Sequence, residues 1–406
     1  MSRFLEINEK LDKLTIFRGI LKDPAIDALR DLAVMINSPA VGGDSPDRIQ
    51  SNDSRYCNFV SKMYTVTADF SLYVKTLVLH DENFYVRDKA AKKRIPKVIE
   101  DHLEVELDIL QSLAELKSAD IKKLLSGGPS LPSWHTSKTD IKAEYKAMIE
   151  ALPVKGYGMY ARYRALCIKD GRICPVKYPD TRSLDQLFEY EKERSLIIKN
   201  TEALVSGKGA SNILLYGDAG TGKSSTVKAV AKEYADRGLR LIEIKKEQLH
   251  QITDVIDELS SNPLNFILFI DDLSFTGNDD NFSALKAVLE GSISSFGRNI
   301  AIYATSNRRH LIKEFLSDRL GDDLHLNDTL QEMTSLAARF GLTITFSKPD
   351  RDDYLSIVEK LASQYDVQMP REKLFAMAER FAIRANGRSP RVARQFIELQ
   401  KIGITE

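Results

Sequence analysis

One stretch of this 406-residue chain restricts its fold more than any other. Ile213-Leu214-Leu215-Tyr216 is a short apolar run. Gly217-Asp218-Ala219-Gly220-Thr221-Gly222-Lys223-Ser224-Ser225 follows it, and Val227, Val230, Ala231 and Tyr234 then recur at helical spacing. The order is a buried strand, a loop of the form G-x-x-x-x-G-K-S, and an amphipathic helix. Glycines let such a loop wrap so that successive backbone N–H groups point at a phosphate, and the helix N-terminus adds its partial positive charge. Lys223 is placed to reach the β- and γ-phosphates, and the Ser224 hydroxyl to bind Mg²⁺. A nucleoside triphosphate is the expected ligand.

Two further apolar runs end in polar tips. Phe266-Ile267-Leu268-Phe269-Ile270 is followed by Asp271 and Asp272. Read as a Walker B strand, it lets Asp271 hold Mg²⁺ beside Ser224, directly or through water, and lets Asp272 polarise the attacking water. Ile300-Ala301-Ile302-Tyr303-Ala304 leads into Thr305-Ser306-Asn307. If that strand lies between the other two, Asn307 is placed to hydrogen-bond the γ-phosphate or the attacking water. A Thr-Ser-Asn turn is the plainer alternative.

Alternation of strand and helix extends this unit. Strands are expected at 213–216, 240–244, 266–270, 300–304 and 342–346, and helices at 223–236, 247–260 and 281–291, which argues for a parallel sheet with helices on both faces. Beyond Pro349 the pattern is helical to the end, in about three helices. From Met1 to about Met159 it is mostly helical as well, with Leu103, Leu107, Leu110, Leu113 and Leu116 at three- and four-residue spacing. Gly42-Gly43 and the run Gly127 to Pro132 break it as loops. Between the helical and alternating regions lies a small β segment from Tyr160 to Ile173, turning at Asp170-Gly171. An extended, proline-containing linker follows, and then a helical stretch capped by Ser183 and Asp185 that runs to Thr201. The expected organisation is a helical N-terminal region at 1–156, suited to partner recognition, then the hairpin and linker at 157–182. An α/β nucleotide-binding domain at 183–348 and a helical lid at 349–406 complete it.

Composition narrows the partners. Lys+Arg and Asp+Glu both number 58, so bulk electrostatics point to neither nucleic acid nor membrane. The basic cluster Lys89, Lys92, Lys93, Arg94 and Lys97 reads as a solvated helix face, because Glu100, Asp101, Glu104 and Glu106 follow at once; a partner patch is the other reading. The first ten residues lack a signal-peptide core and no apolar run approaches membrane-spanning length, so a cytoplasmic protein with no membrane partner is expected. The 3 cysteines make no disulfide framework. Counting outward from the turn pairs Lys169 with Arg172, Ile168 with Ile173 and Cys167 with Cys174, which makes a bridge geometrically conceivable. Two reduced thiols packed as small hydrophobes are expected in a reducing cytosol, and no zinc site is supported.

With these residues together the chain resembles the AAA+ ATPases, and especially a bacterial family of AAA+ proteins of unknown function. The resemblance is carried by Leu-Leu-Tyr-Gly-Asp-Ala-Gly-Thr-Gly-Lys-Ser-Ser (214–225), Leu-Arg-Leu-Ile-Glu-Ile (239–244) and Phe-Ile-Leu-Phe-Ile-Asp-Asp-Leu-Ser-Phe (266–275). Ala-Leu-Lys-Ala-Val-Leu-Glu-Gly (284–291), Tyr-Ala-Thr-Ser-Asn-Arg-Arg-His-Leu (303–311) and Ser-Leu-Ala-Ala-Arg-Phe-Gly-Leu (335–342) add to it. It runs from about Tyr157 to the C-terminus. The fold it implies is an AAA+ P-loop NTPase, a parallel α/β sheet with a C-terminal helical lid, preceded here by the helical N-terminal region.

The resemblance also implies roles. Asn307 would be the sensor 1 residue. Arg339 would be the arginine finger acting in trans on a neighbouring subunit's γ-phosphate, in a homo-oligomer; on the residues alone it is an ordinary helix-terminal arginine. Arg391 would be the sensor 2 arginine of the lid, with Arg388 and Arg394 as close competitors. Leu187, Phe188 and Tyr190 would border the adenine, or simply pack in the core. Two positions depart from the family pattern: Asp272 stands where most AAA+ motors have Glu, and Glu189 where Gly is expected.

The implied cofactors are ATP and Mg²⁺. The implied function is an ATPase that remodels or loads a macromolecular partner, protein or nucleic acid. A slow ATP-dependent switch is the alternative, favoured by Asp272. A small-molecule P-loop kinase is a third, though it leaves Arg339 and the terminal helices without a role. DNA is suggested by the initiator-like Asp271-Asp272 and Ala-Arg-Phe-Gly, but the cations Arg308, Arg309 and Arg319 are scattered.

Overall fold

A computed structural model describes residues 2–37, 46–273, 280–289, 298–307, 338–385 and 387–404. Gly42-Gly43, Arg308, Arg309 and Arg319 lie outside the described residues. The chain forms two compact units, Met1–Arg162 and Tyr163–Glu406.

The first unit is helical: α1 (Arg3–Leu11), α2 (Pro24–Asn37), α3 (Pro46–Tyr64), α4 (Phe70–His80), α5 (Phe84–Ala90), α6 (Lys97–Ala114), α7 (Ser118–Lys122), α8 (Ile141–Lys155) and α9 (Gly158–Arg162). Side-chain caps start several of them, with Ser2, Asp69, Asn83 and Asp140 each accepting a backbone N–H of the first turn. The leucine stripe of α6 is buried as its spacing predicts, and Leu116 just beyond it is buried too. A second nucleus is aromatic: Tyr56, Phe59 and Phe70 surround Trp134, whose indole N–H donates to Leu116 O at 3.0 Å.

Glu106 corrects the sequence reading. Counted there among solvated acids, it is 0% exposed. Its carboxylate accepts Thr15 N at 2.7 Å, Thr15 Oγ1 at 2.6 Å, Ile16 N at 3.0 Å and Phe17 N at 3.0 Å. These donors belong to the loop after α1, so the buried charge is a tether for backbone that has no helix or sheet to pair with. Two cations of the basic cluster are paired, Lys89 with Glu100 and Lys93 with Asp88, both at 2.9 Å.

The second unit is a seven-stranded sheet in the order β2-β1-β4-β5-β6-β3-β7. Its strands are β1 (Ala165–Lys169), β2 (Arg172–Pro175), β3 (Ile213–Gly217), β4 (Leu239–Ile244), β5 (Asn265–Ile270), β6 (Ile300–Asn307) and β7 (Leu342–Phe346). All neighbours are parallel except β1 and β2. Helices α10 (Glu191–Val205), α11 (Lys223–Glu233), α12 (Ile252–Ser260) and α13 (Asp280–Leu289) alternate with the strands. Phe266 to Ile270 are each 0% exposed, as a central strand of a covered parallel sheet requires. The lid is α14 (Arg351–Gln364), α15 (Arg371–Arg384) and α16 (Pro390–Lys401), closed around Tyr354, Val358, Ala378 and Phe396. This is a mostly parallel α/β sheet with a phosphate-loop-type strand–loop–helix and a helical lid, and β6 lies between β5 and β3 as expected.

Two stretches differ from expectation. The β segment begins at Ala165, because Tyr160 belongs to α9; its register pairs Lys169 with Arg172, Ile168 with Ile173 and Cys167 with Cys174, and both thiols are free. The hairpin is also an edge of the sheet, since β1 pairs with β4. The stretch from Ser183 to Thr201 is not one helix. A short 3₁₀ turn, Leu184–Gln186, ends before Glu189 and Tyr190, whose φ values are +58° and +61°, and α10 starts only at Glu191. The physical cause is a division of side chains: Phe188 packs against the lid cluster and Tyr190 against the sheet cluster. Among the described residues no helix is long and apolar enough to cross a membrane.

Candidate nucleotide-binding site

The ends of β3, β5 and β6 assemble the site, because parallel strands point their carboxyl ends the same way. Gly217 closes β3 with φ +140°, and a Cβ there would stand 2.1 Å from Phe346 O, so only glycine fits. The loop then turns into α11. Thr221 Oγ1 donates to Asp218 O at 2.9 Å and braces the turn.

Lys223 is 6% exposed. Its ammonium donates to Gly217 O at 3.0 Å, Asp218 O at 2.7 Å and Asn307 Oδ1 at 3.0 Å. Burial lowers its pKa to about 8, against the pull of Asp218, Asp272 and Asp271, and Arg391 adds to the lowering. An ammonium held by neutral oxygens in a partly desolvated place gains strongly from an anion.

The acidic side is one connected network. Ser224 Oγ donates to Asp271 Oδ1 at 2.6 Å, and Thr305 Oγ1 donates to the same oxygen at 2.6 Å. Thr305 Oγ1 also accepts Asp272 N at 2.9 Å. Asn307 Nδ2 donates to Asp272 Oδ1 at 2.6 Å, and Asp272 adopts φ +56°. The strain of that conformation is offset by the Thr305 bond. Thr305 is therefore a positioning residue that sequence reasoning passed over as part of a polar tip. A hydroxyl and a carboxylate in contact are the hard oxygen donors Mg²⁺ takes, the remainder coming from phosphate and water. Among the described residues no group of three or more His, Cys, Asp or Glu stands ready to hold a metal alone.

A cleft of about 600 Å³ runs from this network to the lid. Ala219 to Ser225, Asp271, Asp272, Thr305 and Asn307 line one end. Leu187, Phe188 and Tyr190 also line the cleft with Ile357 and Leu361 of α14, apolar surface of the kind a planar base packs on, among the charged side chains of Arg182, Arg194, Arg394 and Glu398. Gly217 and Asp218 form the root of the loop rather than the cleft wall. Arg391 lines the cleft, and its backbone N–H donates to Gly220 O at 3.2 Å, which brings the start of α16 onto the phosphate loop. Of the competing arginines, Arg388 is held by Glu379 through bonds of 3.0 and 2.7 Å, whereas Arg394 also lines the cleft and reaches Gln186 O at 3.5 Å. Arg339 is not among the cleft residues. It lies three residues before the start of β7, whose Leu342 pairs with Ile213 and whose Phe346 pairs with Gly217. At about 3.3 Å per residue it lies a whole strand length from the loop of its own chain.

Solved structures with a similar chain path include the Thermotoga maritima RuvB Holliday junction branch migration motor and the Aeropyrum pernix ORC2 protein in ADPNP–ADP complexes. The first is 18% identical, with 55% of this chain and 67% of that one covered at a TM-score of 0.34. The second is 14% identical, with 55% and 70% covered at a TM-score of 0.36. Likenesses this loose carry no activity across. The family model described as "Protein of unknown function (DUF815)" matches residues 159–402, well over half of the chain, and the chain belongs to that family.

Proposed function

We propose that this chain is a Mg²⁺-dependent ATPase that couples ATP binding and hydrolysis to remodelling or loading of a macromolecular partner in the cytoplasm. The observation that supports the reading is the contact chain Ser224–Asp271–Thr305–Asp272–Asn307–Lys223, which gathers an ammonium, two hydroxyls, two carboxylates and an amide along one cleft. Lys223 and the loop N–H groups would hold the β- and γ-phosphates. Ser224 and Asp271 would hold the metal, and Asp272 would polarise water with Asn307 orienting it. Arg391 would reach the γ-phosphate from the lid. Arg339, a strand length from its own loop, would serve a neighbouring copy, which makes the working form a homo-oligomer. The partner is a protein or a nucleic acid, and the helical unit is the part free to recognise it.

A second reading has one observation in its favour. Asp272 is one methylene shorter than Glu and is already engaged by Asn307, which suits a switch that turns over slowly. Phosphate release from ATP and Mg²⁺ by the full chain separates the two. Asp272→Asn is expected to bind ATP within a few-fold of wild type while release drops about 10²- to 10³-fold. Wild-type release by that variant would remove Asp272 from the chemistry. Very slow release by the wild type would favour the switch, and phosphate appearing on an acceptor instead of free would favour a kinase. The ATP-loaded Asp272→Asn protein is also the form in which to capture the partner.

A further inference from the structure

The segment Leu187–Tyr190 forms the apolar wall of the cleft, yet one of its residues faces away. Leu187, Phe188 and Tyr190 line the cleft, whereas Glu189 turns to α14, where it accepts Ser356 Oγ at 2.9 Å and Lys360 Nζ at 2.8 Å. Its neighbours divide between the two cores. Phe188 packs on the lid and lies under the Lys360 ammonium, with Nζ 6.0 Å from the ring centroid. Tyr190 packs on Phe346 with the rings tilted by 32° and their centroids 5.1 Å apart, and it donates to Ser347 O at 2.6 Å, at the strand-to-lid junction. Both Glu189 and Tyr190 hold φ near +60°, a conformation that costs a non-glycine residue energy and persists only where surroundings over-determine it. A glycine would adopt it freely. The side chain at 189 thus has a use that offsets the strain it imposes.

We propose that Glu189 is a positioning residue for the nucleotide site: its contacts with Ser356 and Lys360 fix the lid against the base-side wall of the cleft. The proposal rests on reading that cleft as the nucleotide site. The two hydrogen bonds to Glu189 outweigh its burial and hold its carboxyl below the usual range, consistent with a persistent contact. Lid movement must either break this contact or carry the wall of the base slot with it. Nucleotide affinity and lid mobility are therefore coupled through a residue outside the cleft.

The test uses the full chain, a fluorescent ATP analogue and hydrogen exchange of residues 351–364 without nucleotide. Glu189→Gln is expected to weaken the analogue about three- to fivefold, the scale of a half-exposed ion pair, and to speed exchange in α14 selectively. Glu189→Gly relieves the backbone, so its melting temperature should equal or exceed wild type while affinity falls as in Glu189→Gln. Glu189→Lys with Lys360→Glu should recover both affinity and protection, whereas Lys360→Glu alone should not. Unchanged affinity and exchange in Glu189→Gln overturn the proposal, as does a global rise in exchange in which the reversed pair restores nothing. A wild type that binds no analogue refutes the nucleotide reading instead, and the exchange arm still decides whether the contact holds the lid.

Discussion

Glu106 in the first compact unit and Lys223 in the second are both buried charges, and the two are satisfied in opposite ways. Glu106 is 0% exposed and receives the N–H groups of Thr15, Ile16 and Phe17 and the Thr15 hydroxyl, with His102 Nε2 3.0 Å from its Oε1. Lys223 is 6% exposed and donates to two carbonyls and an amide oxygen, all neutral. Glu106 has its donors from its own unit and is closed off from solvent. Lys223 stands at the wall of a 600 Å³ cleft with its charge only partly answered. On the proposed function, the difference separates a charge kept for folding from one kept for a ligand: the first is complete without a visitor, the second would be completed by one.

Removing each charge should expose that division. Glu106→Ala strands several backbone N–H groups in a core, so a loss of about 3–5 kcal/mol is expected in chemical denaturation, the largest effect here. Nucleotide affinity of the folded protein should stay at the wild-type value. A loss under about 1 kcal/mol would mean that water replaces the carboxylate, and the comparison would fail on its structural side. Lys223→Ala should do the reverse. Stability should hold or rise slightly, because a desolvated ammonium is removed, while ATP affinity falls about 10²- to 10³-fold. A variant that lost stability and kept its affinity would make Lys223 a structural charge like Glu106.

Legibility in the sequence followed the same line. The phosphate loop, Asp271, Asp272 and Asn307 sit at the ends of apolar runs, so local pattern and chain order suffice to bring them together. The strands expected at 213–216 and 342–346 and the three lid helices were legible for that reason. Glu106 was not, because its donors are about ninety residues away and its neighbours are charged; the helical spacing that put Leu103 and Leu110 inside puts position 106 there as well. Thr305 hides within a polar tip, and its value comes from touching two acids that precede it by over thirty residues. The break at Glu189 and Tyr190 depends on two cores competing for adjacent side chains, which no local pattern records.

The smallest effect concerns how incomplete the Lys223 site is. Burial lowers the Lys223 pKa from 10.5 to about 8 in the ligand-free protein. A bound triphosphate stabilises the ammonium and raises that pKa again, so above pH 8 binding takes up a proton. Affinity should therefore be level with respect to Lys223 below pH 8 and decline above it, approaching tenfold per unit, or about 1.4 kcal/mol. The ligand-free protein should move the other way: the unfolded chain binds the proton more tightly, so the Lys223 contribution to stability rises from pH 8 towards 10.5. Titrations of ATP between pH 7 and 9.5 measure the first slope. Lys223→Arg should abolish it, since a guanidinium stays charged throughout that range. A wild-type affinity independent of pH would show that neutral oxygens already satisfy the ammonium, and Lys223 would then differ from Glu106 in location alone.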